Sequence, residues 1–142
     1  MRKALFSRKG FTLVEILIVM VIAGLGLMTV APKLAENTVL SDRTEAFFDD
    51  IVKTHLKTAS ELGTQIFITG YKGSPNLLLQ DGSRVQIPAG DISEVKINDE
   101  RINGSEYRIY FYPDGIFDQF VLTLDNGETI ESVPALHKVV HK

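Results

Sequence analysis

The sequence predicts an α+β fold: a long N-terminal helix, membrane-spanning in its first half and amphipathic in its second, packed on a C-terminal antiparallel β-sheet domain. Three observations predict it. Residues 11–32 form an apolar run of 22 residues with one charge, Glu15. From residue 33 to Leu62, apolar side chains recur at three- and four-residue steps, the helical period. After Gly63 the period drops to two, with turn residues between the alternating stretches, as in half-buried strands.

The chain has 142 residues, enough for one domain and an appendage. Charge is distributed unevenly along it. Residues 1–10 hold Arg2, Lys3, Arg8 and Lys9, for +4, and form a basic leader. Residues 33–142 carry 11 basic and 17 acidic side chains, for a net of −6. Between them, 11–32 has close to the ~20 residues that a helix needs to cross a bilayer. Lysine and arginine flank that span on its N-terminal side, which places the basic end in the cytoplasm and the acidic domain outside it. A cleaved secretory signal fits less well. Its apolar core is usually about 7–15 residues and ends at a small-residue cleavage site, whereas here Ala31-Pro32-Lys33-Leu34 follows a longer run.

The second half of the helix, 33–63, places Leu40, Phe47, Phe48, Ile51, Val52, Leu56, Ala59 and Leu62 on one broad stripe. Asp42, Arg43, Glu45, Asp49, Asp50, Lys53 and Lys57 fall mostly on the other side. Gly63 is the stop. Continuous from Phe11, the helix has about 53 residues and a length of roughly 80 Å. Pro32 lies inside it and predicts a bend, because proline removes a backbone donor and crowds the preceding turn.

Residues 64–142 read as strands: TQIFITGY, a hairpin NLLLQDGSRVQIP turning at Asp81-Gly82, and ISEVKIN. Two or three more strands follow, joined at Pro113-Asp114-Gly115 and Asp125-Asn126-Gly127, and LHKVV is a final edge strand. The amphipathic helix buries its stripe on this sheet, the one available apolar surface in the chain.

Several classes of chemistry lack their residues. There is no cysteine, so disulfides and cysteine-based metal sites are excluded. Phosphate-loop, HExxH and GxSxG patterns are absent, and no enzymatic constellation or cofactor site is read. His137 and His141 are four apart, but lie in a short extended stretch beside lysines, which disfavours a metal pair. Asp114, Asp118, Asp125 and Glu128 lie near turns without calcium-loop spacing, so no metal is assigned. A nucleic-acid partner is not favoured by a domain of net −6.

One residue is unexplained by a simple anchor. Glu15 lies about one turn inside the apolar run, and a lone carboxylate in hydrocarbon costs roughly 2.5–3.5 kcal/mol at a helix centre, less near an end. Snorkelling to the leader's lysines is one way to offset this. Cleavage after Gly10 is another, because it would create a new positive charge, the α-ammonium of Phe11.

The stretch Lys9-Gly10, Phe11, Thr12, Leu13 and Glu15 resembles the class III signal of type IV pilins and pseudopilins, over residues 8 to about 33. Pro32 falls where many members of that family have a helix-bending proline. The resemblance implies processing by a membrane-embedded prepilin peptidase, with cleavage between Gly10 and Phe11 and N-methylation of Phe11. It further implies residence in the bacterial inner membrane as a single-pass protein with a periplasmic C-terminal domain. Extraction into a filament by an inner-membrane assembly platform and its ATPase would follow. Glu15 is then expected to neutralise the Phe11 ammonium of a neighbouring subunit, with Gly24, Gly26 and Pro32 where the helix loosens on assembly. Within the family, Phe111, Pro113, Asp114 and Gly115 resemble a turn of H-type minor pseudopilins of type II secretion systems, and of related minor pilins. Partners implied are other pseudopilins, the peptidase and the platform. A minor pilin of a type IV pilus, for assembly priming or DNA uptake, is the alternative.

Overall fold

In the computed structural model, residues 10–142 are described, and the basic leader's charged side chains lie outside them. One α-helix, α1, spans Leu13–Leu62. It begins two residues after Phe11 and passes through Pro32 without a break in its helical assignment. Its residues fall into two compact units, Met1–Asn37 and Thr38–Lys142.

In the first unit, every residue from 10 to 37 is exposed. Leucine, isoleucine, valine and methionine occupy all faces of the helix there, so no single stripe is offered to a core.

The second unit pairs the rest of α1 with nine strands. The α+β class read from the sequence holds, and the strands divide between two antiparallel sheets. The first sheet contains β1 (Ile66–Tyr71), β2 (Asn76–Leu78), β3 (Arg84–Gln86) and β6 (Glu106–Phe111), in the order β3-β2-β1-β6. The second contains β4 (Ile92–Ile97), β5 (Glu100–Arg101), β7 (Phe120–Leu124), β8 (Thr129–Val133) and β9 (Lys138–His141), in the order β5-β4-β7-β8-β9. The chain visits the sheets in alternation. Pro113-Asp114-Gly115 folds the chain back on itself, with Phe111 bridged antiparallel to Phe117 and the Asp118 amide donating to the Tyr110 carbonyl at 3.0 Å. It carries the chain from β6 to β7 and so from one sheet to the other. Gly115, with φ +85°, turns the chain there, and the Tyr112 amide donates to the Ile116 carbonyl at 2.8 Å.

Two strand features were not read from the sequence. The short β5 pairs back on β4 through Asn98 and Asp99, both with positive φ, as a two-residue hairpin requires. A 3-10 turn, Pro134–Leu136, precedes β9, and His137 closes it in the left-handed region.

The core is continuous across helix and sheets. Phe48 of α1 meets Phe120 of β7 at 5.7 Å between ring centroids, Phe120 meets Phe117 at 6.4 Å, and Phe117 stacks on Phe111 of β6 at 5.8 Å. His55 also lies against Phe111, at 5.2 Å between ring centroids. Each fully buried side chain of this size contributes about 1.5–3 kcal/mol relative to exposure.

The predicted helix stripe needs correction at its end and within it. Leu62 is 60% exposed rather than packed, where the chain leaves the helix at Gly63. Thr44 and His55 are buried instead. Both are satisfied within the helix: Thr44 Oγ1 donates to the Leu40 carbonyl at 2.8 Å, and His55 Nδ1 lies 2.8 Å from the Ile51 carbonyl. A polar group whose hydrogen bond is made locally can be buried at little cost.

Gly70 and Tyr107 face each other in the β1–β6 register. The phenol ring lies across the glycine, and a β-carbon at Gly70 would stand 2.2 Å from Tyr107 Cζ. Burial pushes the Tyr107 phenol well above its ordinary pKa, so it stays neutral at any ordinary pH. Gly70→Ala should therefore force the ring out of place and cost about 1–3 kcal/mol, the range for an overpacked core. Hydrogen exchange of the β1 and β6 amides is the measurement; unchanged protection would mean that the ring has room to move.

Candidate functional site

The N-terminal segment is the part of the chain whose residues are unexplained by the fold of the β-domain. Thr12 immediately precedes α1, and Glu15 is the third residue of the helix. The Glu15 amide donates to Thr12 Oγ1 at 3.2 Å, and the Thr12 amide donates to Glu15 Oε2 at 3.4 Å. This reciprocal pair is a capping box, which satisfies two amides that a helix start leaves without partners. The carboxylate also sits at the positive end of the helix dipole.

Glu15 thus has a local role that the sequence reading passed over. The signal was legible as Thr-x-x-Glu ahead of an apolar run. Thr12 joins the residues of interest as the cap. The box does not neutralise the carboxylate, whose charge lies beside an apolar helix. It does hold the carboxylate on the Thr12 amide, one residue from Phe11.

Gly10 and Phe11 precede the helix. Phe11 is 77% exposed, and nothing lies within 4 Å of where a Gly10 β-carbon would stand. From Ile16 to Pro32 the helix is apolar and exposed, and by length and composition it can cross a membrane. An apolar helix with no covering in its own chain is stable where lipid or other helices surround it. Its weak stretch is short. Gly24 and Gly26 lack side chains to support the turn, and Pro32 supplies no amide for the Met28 carbonyl. Thr29 Oγ1 turns inward to the Gly26 carbonyl at 2.9 Å, so its hydroxyl is satisfied without water.

In the β-domain the sequence-read titratable residues are not brought to one place. The His141 side chain is buried with Nε2 2.9 Å from Glu128 Oε2, whereas His137 lies beside Phe117, 6.4 Å between ring centroids. Asp118 is buried and accepts from the Tyr110 amide and from Asn98 Nδ2, each at 3.0 Å. It also draws the Tyr112 phenol upward in pKa, second to burial of that phenol. Asp114 accepts from the Ile116 amide at 3.4 Å. Asp114 holds its own turn, Asp118 joins β6 to the β4–β5 turn, and among the described residues no three metal-ligating side chains converge.

The edge of the second sheet is closed by α1. The Val139 amide donates to Asp49 Oδ1 at 3.0 Å, and the His141 amide donates to Glu45 Oε1 at 2.9 Å. Ser41 Oγ donates to the His141 carbonyl at 3.4 Å. Ser41, Glu45 and Asp49 are one helical turn apart and serve as a substitute strand, so β9 does not offer these groups to a foreign strand. The carboxylates had been placed on the solvent side of the helix, and are half-buried.

Residues 5–31 match the family described as the prokaryotic N-terminal methylation motif. The chain carries that motif. The match covers the end of the leader, the Thr12/Glu15 cap and nearly all of the apolar run, and it supports a place in the type IV pilin and pseudopilin family. Comparison with curated proteins and comparison with solved structures returned no match. The methylation motif, with the exposed apolar helix behind it, fits membrane anchoring and processing by a prepilin peptidase, followed by assembly with pilin-like subunits.

Proposed function

We propose that the protein is a minor pseudopilin, a structural subunit near the tip of the periplasmic pseudopilus of a type II secretion system. Prepilin peptidase cuts between Gly10 and Phe11 and methylates the new Phe11 amine. The apolar helix anchors the precursor in the inner membrane with its basic end cytoplasmic and its acidic domain periplasmic. In the filament it lies among the same helices of neighbouring subunits, with Glu15 neutralising a neighbour's Phe11 ammonium. Gly24, Gly26 and Pro32 are where the helix can loosen as it leaves the membrane.

The observation that carries this reading is the methylation motif running in register into an exposed apolar helix. A processed amine and a carboxylate four residues along are of opposite charge, and in a dry helix bundle their attraction is far stronger than in water. The finer assignment to a pseudopilin rests on the resemblance at Phe111, Pro113, Asp114 and Gly115.

Intact-mass and N-terminal analysis of the chain from its native membrane tests the first part. The expected product begins at Phe11 and carries one added methyl group; an unmodified N-terminus upstream of Gly10 would sink the proposal. Deletion tests the second part. Loss of protein secretion with surface pili intact is expected, and the opposite pattern would favour a minor pilin of a type IV pilus.

A further inference from the structure

The β-domain has a second feature that neither the cap nor the apolar helix uses. Between α1, the turn at Gly115 and the start of β9 lies an open hollow of about 540 Å³. This is within the range of about 300–1,000 Å³ typical of ligand pockets. Three lysines surround it: Lys53 and Lys57, one helical turn apart, and Lys138 opposite them. The lining holds a single carboxylate, Asp49, and that one is engaged by the Val139 amide.

The lysines have little to neutralise them. Lys57 reaches Glu61 at 3.9 Å, an exposed pair of negligible strength. Among the described residues, Lys53 and Lys138 form no ion pair. Such a cluster is out of character for residues 33–142, which are net −6. The floor and rim are apolar: Leu56 is half-buried, and Leu136 is 67% exposed beside it. An occupant must therefore bring negative charge and an aliphatic group together.

We propose that this hollow docks an acidic polypeptide segment of a partner protein, with carboxylates on Lys53, Lys57 and Lys138 and an aliphatic side chain between Leu56 and Leu136. Complementary charge draws the segment in, and removal of apolar surface from water holds it. A nucleic acid fits less well. The basic groups form one small hollow rather than a track along a backbone, so few phosphates could be neutralised at once. The site is built wholly within the unit Thr38–Lys142, so it stands whether or not the N-terminal segment enters a filament.

The test uses the full chain, ¹⁵N-labelled, in uncharged detergent micelles. It is titrated with an acetylated Asp-Glu-Leu-Asp-Glu peptide and with the neutral Asn-Gln-Leu-Asn-Gln peptide. Saturable shifts of the Lys53, Leu56 and Lys138 amides are expected with the acidic peptide and not with the neutral one, weakening as salt is added. Lys53→Glu and Lys138→Glu should each weaken binding about tenfold, the scale of one charge-assisted contact, and Lys53→Arg should retain it. Both lysines are exposed, and unchanged β1 and β6 amide positions would show that the fold is intact. Three outcomes overturn the proposal. The acidic peptide could bind no better than the neutral one. The same amides could shift with protein concentration alone, which would make the occupant a second copy. Duplex DNA could compete at the site more strongly than the peptide at equal ionic strength.

Discussion

Gly10→Val leaves the chain at precursor length, unmethylated and still in the membrane. This is expected to be close to all-or-none. The fold itself does not demand glycine at this position. Nothing lies within 4 Å of a β-carbon there, and its φ is outside the left-handed region. Valine is therefore accommodated by the protein, and any loss must arise in the peptidase. A protease needs the backbone at the scissile bond to approach its catalytic groups closely, and a β-branched side chain obstructs that approach. Immunoblotting for the length shift and mass analysis of the N-terminus are the measurements. A mature-length band from the valine variant would contradict cleavage after Gly10.

Glu15 has two separable roles, and three variants separate them. Glu15→Ala removes the charge and the carboxylate half of the capping box, and leaves the Thr12 Oγ1 contact to the amide of residue 15. It should be processed and inserted but absent from filaments. Glu15→Gln keeps an acceptor for the Thr12 amide, since glutamine serves in capping boxes, and removes the charge. It should fail in the same way as alanine if pairing with a neighbour's ammonium is what assembly requires. Thr12→Ala removes the cap and retains the charge. It should fray the first turn at a cost of about 1 kcal/mol and still enter filaments. The ordering matters because a charge pair within a dry core outweighs one capping hydrogen bond by several kcal/mol when one partner is left alone. Incorporation is read from sheared or cross-linked filaments, against membrane levels of the same variant. Normal incorporation of the glutamine variant would reduce Glu15 to a helix cap.

Much of the architecture was legible because it is written locally. Helix α1 was read to within two residues at its start and one at its end, since apolar spacing and Gly63 are short-range signals. The β2–β3 hairpin at Asp81-Gly82 was equally plain, and Asp81 is held there by the Ser83 hydroxyl and amide, which lower its pKa. By contrast, β5 is only two residues long, and a two-residue alternation is no signal at all. Its turn residues, Asn98 and Asp99, tolerate positive φ, which was the available clue. Thr44 and His55 were missed from the core because a polar side chain reads as surface until its hydrogen-bond partner is known.

The sequence by itself determined the features that depend on order along the chain. These are the basic leader, the Gly10-Phe11 junction, the Thr12/Glu15 spacing, the length of the apolar run and the helix-to-strand change at Gly63. Only the tertiary structure decided the partnerships. Pairing of β6 with β1, the division into two sheets, and the placement of Glu45 and Asp49 on the amides of β9 all join residues far apart in the chain. Lys138 likewise meets Lys53 and Lys57 only around the folded hollow. A period of two tells a strand which face to bury but not which strand to join. That choice is made by the global packing of the core, where each pairing must leave every other apolar face covered.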